Sequence, residues 1–198
     1  MIRLLALLFI IVNFITPNLV RGDSADGFDS PLAQAVRSAT SRYRLVVWAV
    51  QDGYVQTTGY IPQFGTMYTN HARFDSQSLA DPTVLVYDLA GRLVACGYQY
   101  LSKGSIPQPL RGDAVTGWYQ IPRHVHYNIS VGGVTYYAQQ AWDGDAQPTA
   151  AELIKRKLMP PDGTLIFAFV HPASTAILIW AWSPDSDGLF SSDNPSLP

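Results

Sequence analysis

A lone cysteine, Cys96, in a chain whose opening reads as an export signal sets the first constraint on the fold. Oxidising compartments let small domains staple themselves with disulfides, yet this chain has no second thiol with which to close one internally. Stability must therefore come from a packed core. Cys96 itself lies in the apolar run Leu93-Val94-Ala95-Cys96, the setting of a buried structural thiol. Eleven Tyr, eight Phe and five Trp provide large apolar bodies with polar tips, which suits a β-rich core.

The export signal rests on Arg3, an apolar stretch over residues 4–14 broken only by Asn13, and the stop at Thr16-Pro17-Asn18. Val20 and Gly22 stand at −3 and −1 of a cut before Asp23; a cut after Ala25 is the alternative. A membrane span needs about 20 apolar residues, and this run is shorter and interrupted. Residues 1–22 are thus expected as a signal peptide and 23–198 as one secreted domain, with no transmembrane anchor after cleavage. A domain of roughly 175 residues is long enough to bury a core. Removing Arg3 and Arg21 takes the basic residues from thirteen to eleven against fifteen acidic ones, which argues against nucleic acid or an anionic membrane as partner. Lys155, Arg156 and Lys157, the only basic cluster, end an expected helix, where cations favour the dipole.

Hydrophobic spacing supplies the architecture. Ser30 and Pro31 read as N-cap and first helical residue, and Leu32, Val36, Ala39, Tyr43, Val46 and Val50 recur at steps of three and four. Gly53 then serves as C-cap, so one long helix is expected; a strand over 45–50 competes, because Val46 and Val47 are β-branched. Residues 83–87 and 92–101 form a hairpin around Asp88-Leu89-Ala90-Gly91. Residues 119–131 and 134–139 form another around Gly132-Gly133. Thr149 caps a short helix over 150–158, and 165–170 with 175–182 make a last strand pair around His171-Pro172-Ala173. The expected class is α+β: an antiparallel sheet or partly closed barrel of hairpins, packed by one long N-terminal helix and one short helix.

Several motifs carry a family likeness. Ala39-Thr40-x-x-Tyr43-Arg44 with Asp52-Gly53-Tyr54 resembles the start of a family of largely uncharacterised secreted proteins. So do Gly59-Tyr60-Ile61-Pro62-Gln63-Phe64-Gly65 with Tyr68 and Asn70, and Pro82-x-Val84-Leu85-Val86-Tyr87 with Gly91-Arg92-Leu93. The closing motif matches in Trp180-Ala181-Trp182-x-Pro184, Gly188-Leu189-Phe190 and Asn194-Pro195. The resemblance spans most of the domain in order and implies secretion and fold, with no activity attached. In two places the family pattern has His where this chain has Met67 and Leu178.

His124-Val125-His126 is the most chemical feature. Residues i and i+2 of a strand share a face, so both imidazoles are candidates for one divalent transition metal, with His171 or, alternatively, His71 as third ligand. Two histidines on a strand facing solvent or hydrogen-bonded are the plain explanation. Glu152 is the only Glu and lies on a helix, which excludes a Glu-based acid/base pair. Asp143-Gly144-Asp145 and Asp185-Ser186-Asp187-Gly188 resemble calcium-loop fragments but lack the further ligands, and ordinary Asp turns account for them. Ser174 has no Gly-x-Ser-x-Gly elbow. Arg21-Gly22-Asp23 and Arg111-Gly112-Asp113 read as chance, and Asn128-Ile129-Ser130 is a glycosylation sequon set inside an expected strand.

The leading functional expectation is a secreted domain of unknown activity that binds a small molecule in an aromatic-lined pocket formed by Tyr60, Met67, Tyr68, Tyr98, Tyr100 and Trp180. A metal-dependent enzyme using His124 and His126 is the second reading, and a structural envelope or extracellular protein the third. The export reading is checked by mass spectrometry of protein from its native host. Mature chains starting near Asp23 outside the cytosol are expected; an intact Met1 on cytosolic protein overturns it.

Overall fold

The computed structural model describes residues 27–198 except 102, 145 and 186, and except the side chain of 103. The expected signal peptide and its cut, Asp145 and Ser186 lie outside the described residues.

Among the described residues the protein is α+β, with two antiparallel sheets. Helices α1 (Pro31–Thr40), α2 (Val46–Gln51) and α3 (Ala150–Lys155) accompany nine strands. These are β1 (Val55–Gln56), β2 (Thr66–Thr69), β3 (Val84–Tyr87), β4 (Leu93–Tyr100), β5 (Tyr119–Ile121), β6 (His124–Val131), β7 (Val134–Ala141), β8 (Thr164–His171) and β9 (Ser174–Ile179). The larger sheet runs β1-β2-β3-β4-β9-β5 and the smaller β7-β6-β8. Neither sheet closes into a barrel among the described residues.

The long N-terminal helix is not formed. Ser30 caps α1 as expected, its Oγ accepting from Ala33 N at 3.1 Å, but the helix tightens to a 3-10 turn over Ser41–Arg44. Leu45 is then fully extended, at φ −119° and ψ 136°, and bridges to Arg92. Two tertiary bonds outweigh the local pattern. The Tyr43 carbonyl, which a continuing helix would need, accepts from Tyr87 Oη at 2.9 Å, and Val46 N donates to Gly91 O at 3.2 Å. The buried stripe is Ala33, Val36, Thr40, Tyr43 and Ala49, with Val46 half-buried; Val50 is exposed. Thr40 Oγ1 donates to Val36 O and accepts from Trp182 Nε1 at 2.9 Å, and the Cys96 thiol lies beside it at 3.7 Å. The lone cysteine is thus buried between helix and sheet, and burial pushes its thiol up to about 12.

Strand alternation divides the core. Leu85, Tyr87, Cys96, Tyr98, Tyr100, Ile177 and Ile179 face α1 and α2, while Val84, Val86, Val94, Leu178 and Trp180 face away into a second cluster. That second cluster is covered by the C-terminal tail: Leu197 packs into it, Asn194 N donates to Gln63 O at 2.6 Å, and Trp180 Nε1 donates to Ser191 O at 3.0 Å. Gly65 is fixed as glycine by a φ of +107° and by the Tyr87 carbonyl oxygen, which a Cβ would meet at 2.6 Å. On the small sheet Val125, Tyr127 and Ile129 pack with Leu153, Met159 and Trp142; Thr149 caps α3 as expected, through a capping box with Glu152, but the helix ends at Lys155 and does not reach 158.

The expected last hairpin is also corrected, since β8 and β9 do not pair with each other. β8 pairs with β6, and β9 with β4 and β5. The chain passes straight from the small sheet to the large one through Pro172-Ala173, and β5 passes into β6 through Pro122-Arg123. Ile121 faces Ser174 on one side of this crossing and His124 faces His171 on the other. One long antiparallel ladder is therefore bent where two proline-containing dipeptides meet, because proline has no N–H to continue it.

Tyr87→Phe tests the bond that divides the N-terminal helix. It leaves the ring in place and the buried Tyr43 carbonyl without its donor, so urea unfolding should show a loss of about 1–3 kcal/mol. An unchanged midpoint would show that Tyr43 finds another donor.

Candidate functional site

The bend gathers the histidines. His124 and His126 share the face of β6 opposite the α3 core, His171 ends β8 directly across from His124, and His71 opens a 3-10 turn (His71–Arg73) just after β2. Asn70 sets that turn, its Oδ1 accepting from Ala72 N at 3.0 Å and its Nδ2 donating to Asp52 O at 2.9 Å. All four histidines of the chain thus converge on the cleft between the sheets. The His124 and His171 rings stack with centroids 4.5 Å apart, His71 stacks on Phe169, and Phe74 meets His171 edge-on at 5.1 Å. Asn128, also on the cleft face of β6, ties the sheets together by donating from Nδ2 to Gln56 O at 2.9 Å.

Hydrogen bonds assign the tautomers. His124 Nδ1 lies 2.7 Å from the Pro122 carbonyl and donates to it, which leaves Nε2 as a bare acceptor. His126 Nε2 stands 2.9 Å from that atom and supplies the proton between them. His171 Nδ1 likewise donates to Pro172 O at 2.7 Å, and its Nε2 lies 3.0 Å from Gln99 Oε1. Four buried atoms in and beside the cleft have no partner: His126 Nδ1, His71 Nε2, Asn128 Oδ1 and Ser174 Oγ.

Burial holds all four imidazoles neutral. Desolvation first, then His171, lowers His71 to about 3; desolvation, then His124, lowers His171 to about 4 against a partial offset from the Pro172 carbonyl. Desolvation, reinforced by the other three histidines, drives His126 well below its ordinary value, and His124 is lowered by desolvation too, with the Pro122 carbonyl opposing. None of them has a carboxylate neighbour among the described residues. Three or more His, Cys, Asp or Glu groups already poised on one metal position are not found among the described residues. The pair His124–His126 meets, while His171 Nε2 is turned to Gln99.

The six aromatic-pocket candidates do not share a cavity. Tyr68, Tyr98 and Tyr100 lie in the cluster facing α1 and α2, whereas Met67 and Trp180 lie on the opposite face of the sheet. Tyr60 reaches the tail, donating to Pro198 O at 2.7 Å. Met67 and Leu178, where the resembled family has His, fall in that same apolar second cluster. Asn128 is 4% exposed, so the amide nitrogen that a glycan requires is buried and already bonded to Gln56. Asp143 pairs with Arg156, and Asp185 receives Asp187 N in its own turn, which is the ordinary reading of both. Arg111 holds its own loop by donating to Ile106 and Gly104 carbonyls.

Sequence reasoning missed Gln99, for which an alternating strand carries no signal. It also missed a surface groove between α2, the β3–β4 turn and the tail, lined by Arg42, Arg44, Trp48, Arg92, Trp182 and Pro198.

A pH dependence of stability follows. Unfolded histidines protonate near pH 6.5, but those in the cleft stay neutral when folded, so below that pH the unfolded state binds more protons. Stability is whole above about pH 6.5 and declines towards the folded values, by ~1.4 kcal/mol per pH unit for each such histidine. Urea midpoints at pH 7.5 and 5.0 measure the slope, which His171→Gln should reduce. A midpoint constant across this range would exclude neutral burial.

No protein-family model, curated protein or solved structure matches the chain.

Proposed function

We propose that the chain is an exported binding protein of the secreted family its motifs resemble, and that its site is the histidine cleft, where His124 and His126 hold a divalent transition metal ion. The small-ligand reading is retained, but its place moves from the dispersed aromatic side chains to the cleft. The proposal is ligation, and it assigns no reaction.

One observation carries it: the Nε2 atoms of His124 and His126 are 2.9 Å apart. Two nitrogens each about 2.0–2.1 Å from one ion stand ~2.9–3.4 Å apart for bond angles between a right angle and a tetrahedral one. Supporting it, His124 already gives its other ring N–H to a carbonyl, the arrangement that orients metal-ligating histidines. The imidazoles are neutral, so ligation needs no net loss of a proton, only the transfer of the His126 Nε2–H to the other ring nitrogen. Imidazole nitrogens suit zinc, copper, nickel or iron. The third ligand is His171, released from Gln99, or His71, whose Nε2 has no bond to give up.

Calorimetric titration with Zn2+, Cu2+ and Ni2+ at pH 7.5 tests this reading. The wild type should take up one equivalent, and His124→Ala and His126→Ala should each weaken binding at least tenfold. Val125, pointing into the α3 core, is the control: Val125→Ala should cost about 1.5–3 kcal/mol of stability and leave affinity unchanged. Absence of binding, or equal losses at all three positions, overturns it.

A further inference from the structure

We infer that the open edge of β7 is the surface through which two copies of this chain pair, joining their small sheets into one antiparallel sheet about a two-fold axis. The pairing does not depend on the histidine cleft holding a metal.

A sheet edge presents unpaired N–H and C=O groups, and native proteins guard such edges with shortness, charge, proline or a bulge. Of the four sheet edges among the described residues, three are guarded. In the large sheet β1 has two residues, and β5 has three and runs into Pro122. β8 is long, but its pairing with β6 slips between Asn128 and Ile129, leaving Ile166 as an extra, exposed residue. β7 has none of these devices. It runs eight residues, Val134–Ala141, with no charge, no proline and no break in its register with β6. Among the described residues, no backbone hydrogen bond reaches β7 from any segment besides β6.

The turn fixes which groups point outwards. Gly132 and Gly133 both have positive φ, +58° and +81°, the primed two-residue turn that closes on a hydrogen-bonded pair, here Val131 and Val134. Bonding alternates along an antiparallel strand. Residues 134, 136, 138 and 140 therefore bond inwards to β6, and Thr135, Tyr137, Gln139 and Ala141 turn their N–H and C=O to the open edge. A second copy related by a two-fold axis presents the same pattern reversed, so the edge is complementary to itself. One register uses all four outward residues. Thr135 lies opposite Ala141 of the second copy and Tyr137 opposite its Gln139, each pair exchanging two bonds. The axis then passes between the two Ala138 residues, a close, non-hydrogen-bonded pair that a small side chain suits. Val134 and Tyr136, both exposed, gain cover from the contact. The joined sheet ends on β8 at both sides, so the bulged edges are outermost and association stops at two.

Sedimentation velocity at about 1–300 µM, with a chelator present so that no metal links copies, should show a monomer–dimer equilibrium. Hydrogen exchange should slow with concentration at the amides of Thr135, Tyr137, Gln139 and Ala141 and stay constant at the inward ones. Thr135 and Ala141 are exposed, so charges there leave the fold intact. Thr135→Lys with Ala141→Lys sets like charges opposite each other at both symmetric pairs and should weaken dimerisation roughly tenfold. Thr135→Lys with Ala141→Glu sets opposite charges there and should restore it. A wild type that stays monomeric overturns a second copy as the occupant. A dimer indifferent to both charge pairs, exchange that slows only elsewhere, or growth beyond the dimer overturns this edge and register.

Discussion

Two facing interruptions, Pro122-Arg123 and Pro172-Ala173, govern the architecture more than any single helix or strand does. A ladder of backbone hydrogen bonds cannot cross a residue without an N–H, and here both strands of one pair lose the ladder at the same level. The strands continue past the break in register, with Ile121 opposite Ser174 before it and His124 opposite His171 after it. What would have been one wide sheet therefore folds at a corner. The small sheet must then find its own core, which α3 supplies, and its other face is turned towards the large sheet.

The cleft follows from that corner and explains why its polar groups tolerate burial. Carbonyls next to the prolines have no ladder partner and are free to accept from imidazole N–H groups, as Pro122 does for His124 and Pro172 for His171. Each ring is thereby fixed in orientation and tautomer by the same residue that ends the ladder. Neutral imidazoles can be buried at modest cost when one nitrogen donates to a carbonyl. The cost that remains sits on the four buried polar atoms that no protein group satisfies.

Legibility in the sequence was uneven for physical reasons. The α+β class, the hairpin at Gly132-Gly133, the Ser30 and Thr149 caps and the burial of Cys96 depend on local spacing or on residue type, and these were readable. The long helix was not, because what ends it is a hydrogen bond from Tyr87, remote in the chain, to the Tyr43 carbonyl. The last strand pair was misread for a related reason. Proline between two apolar runs signals a turn, but it also suits an extended crossing, and only pairing with β6 decides between them. Two-residue alternation put His124 and His126 on one face correctly. It could not reveal Gln99, which reaches His171 from another sheet, or disperse the aromatic candidates, whose opposite faces depend on register.

The tail that covers the second core cluster has a consequence for how the chain reaches this state. Asn194 is tied to Gln63, and Leu197 completes a cluster built from β3, β4 and β9. Contacts so distant in sequence form late, because the intervening loop must close before they repay its entropy. In a chain made from its N-terminus onward, the apolar face of Val84, Val86 and Trp180 stays uncovered until residues 194–197 have emerged. A cover that depends on closing so long a loop makes this face the last part of the core to be sealed, and the stretch most open to wrong partners while the chain folds.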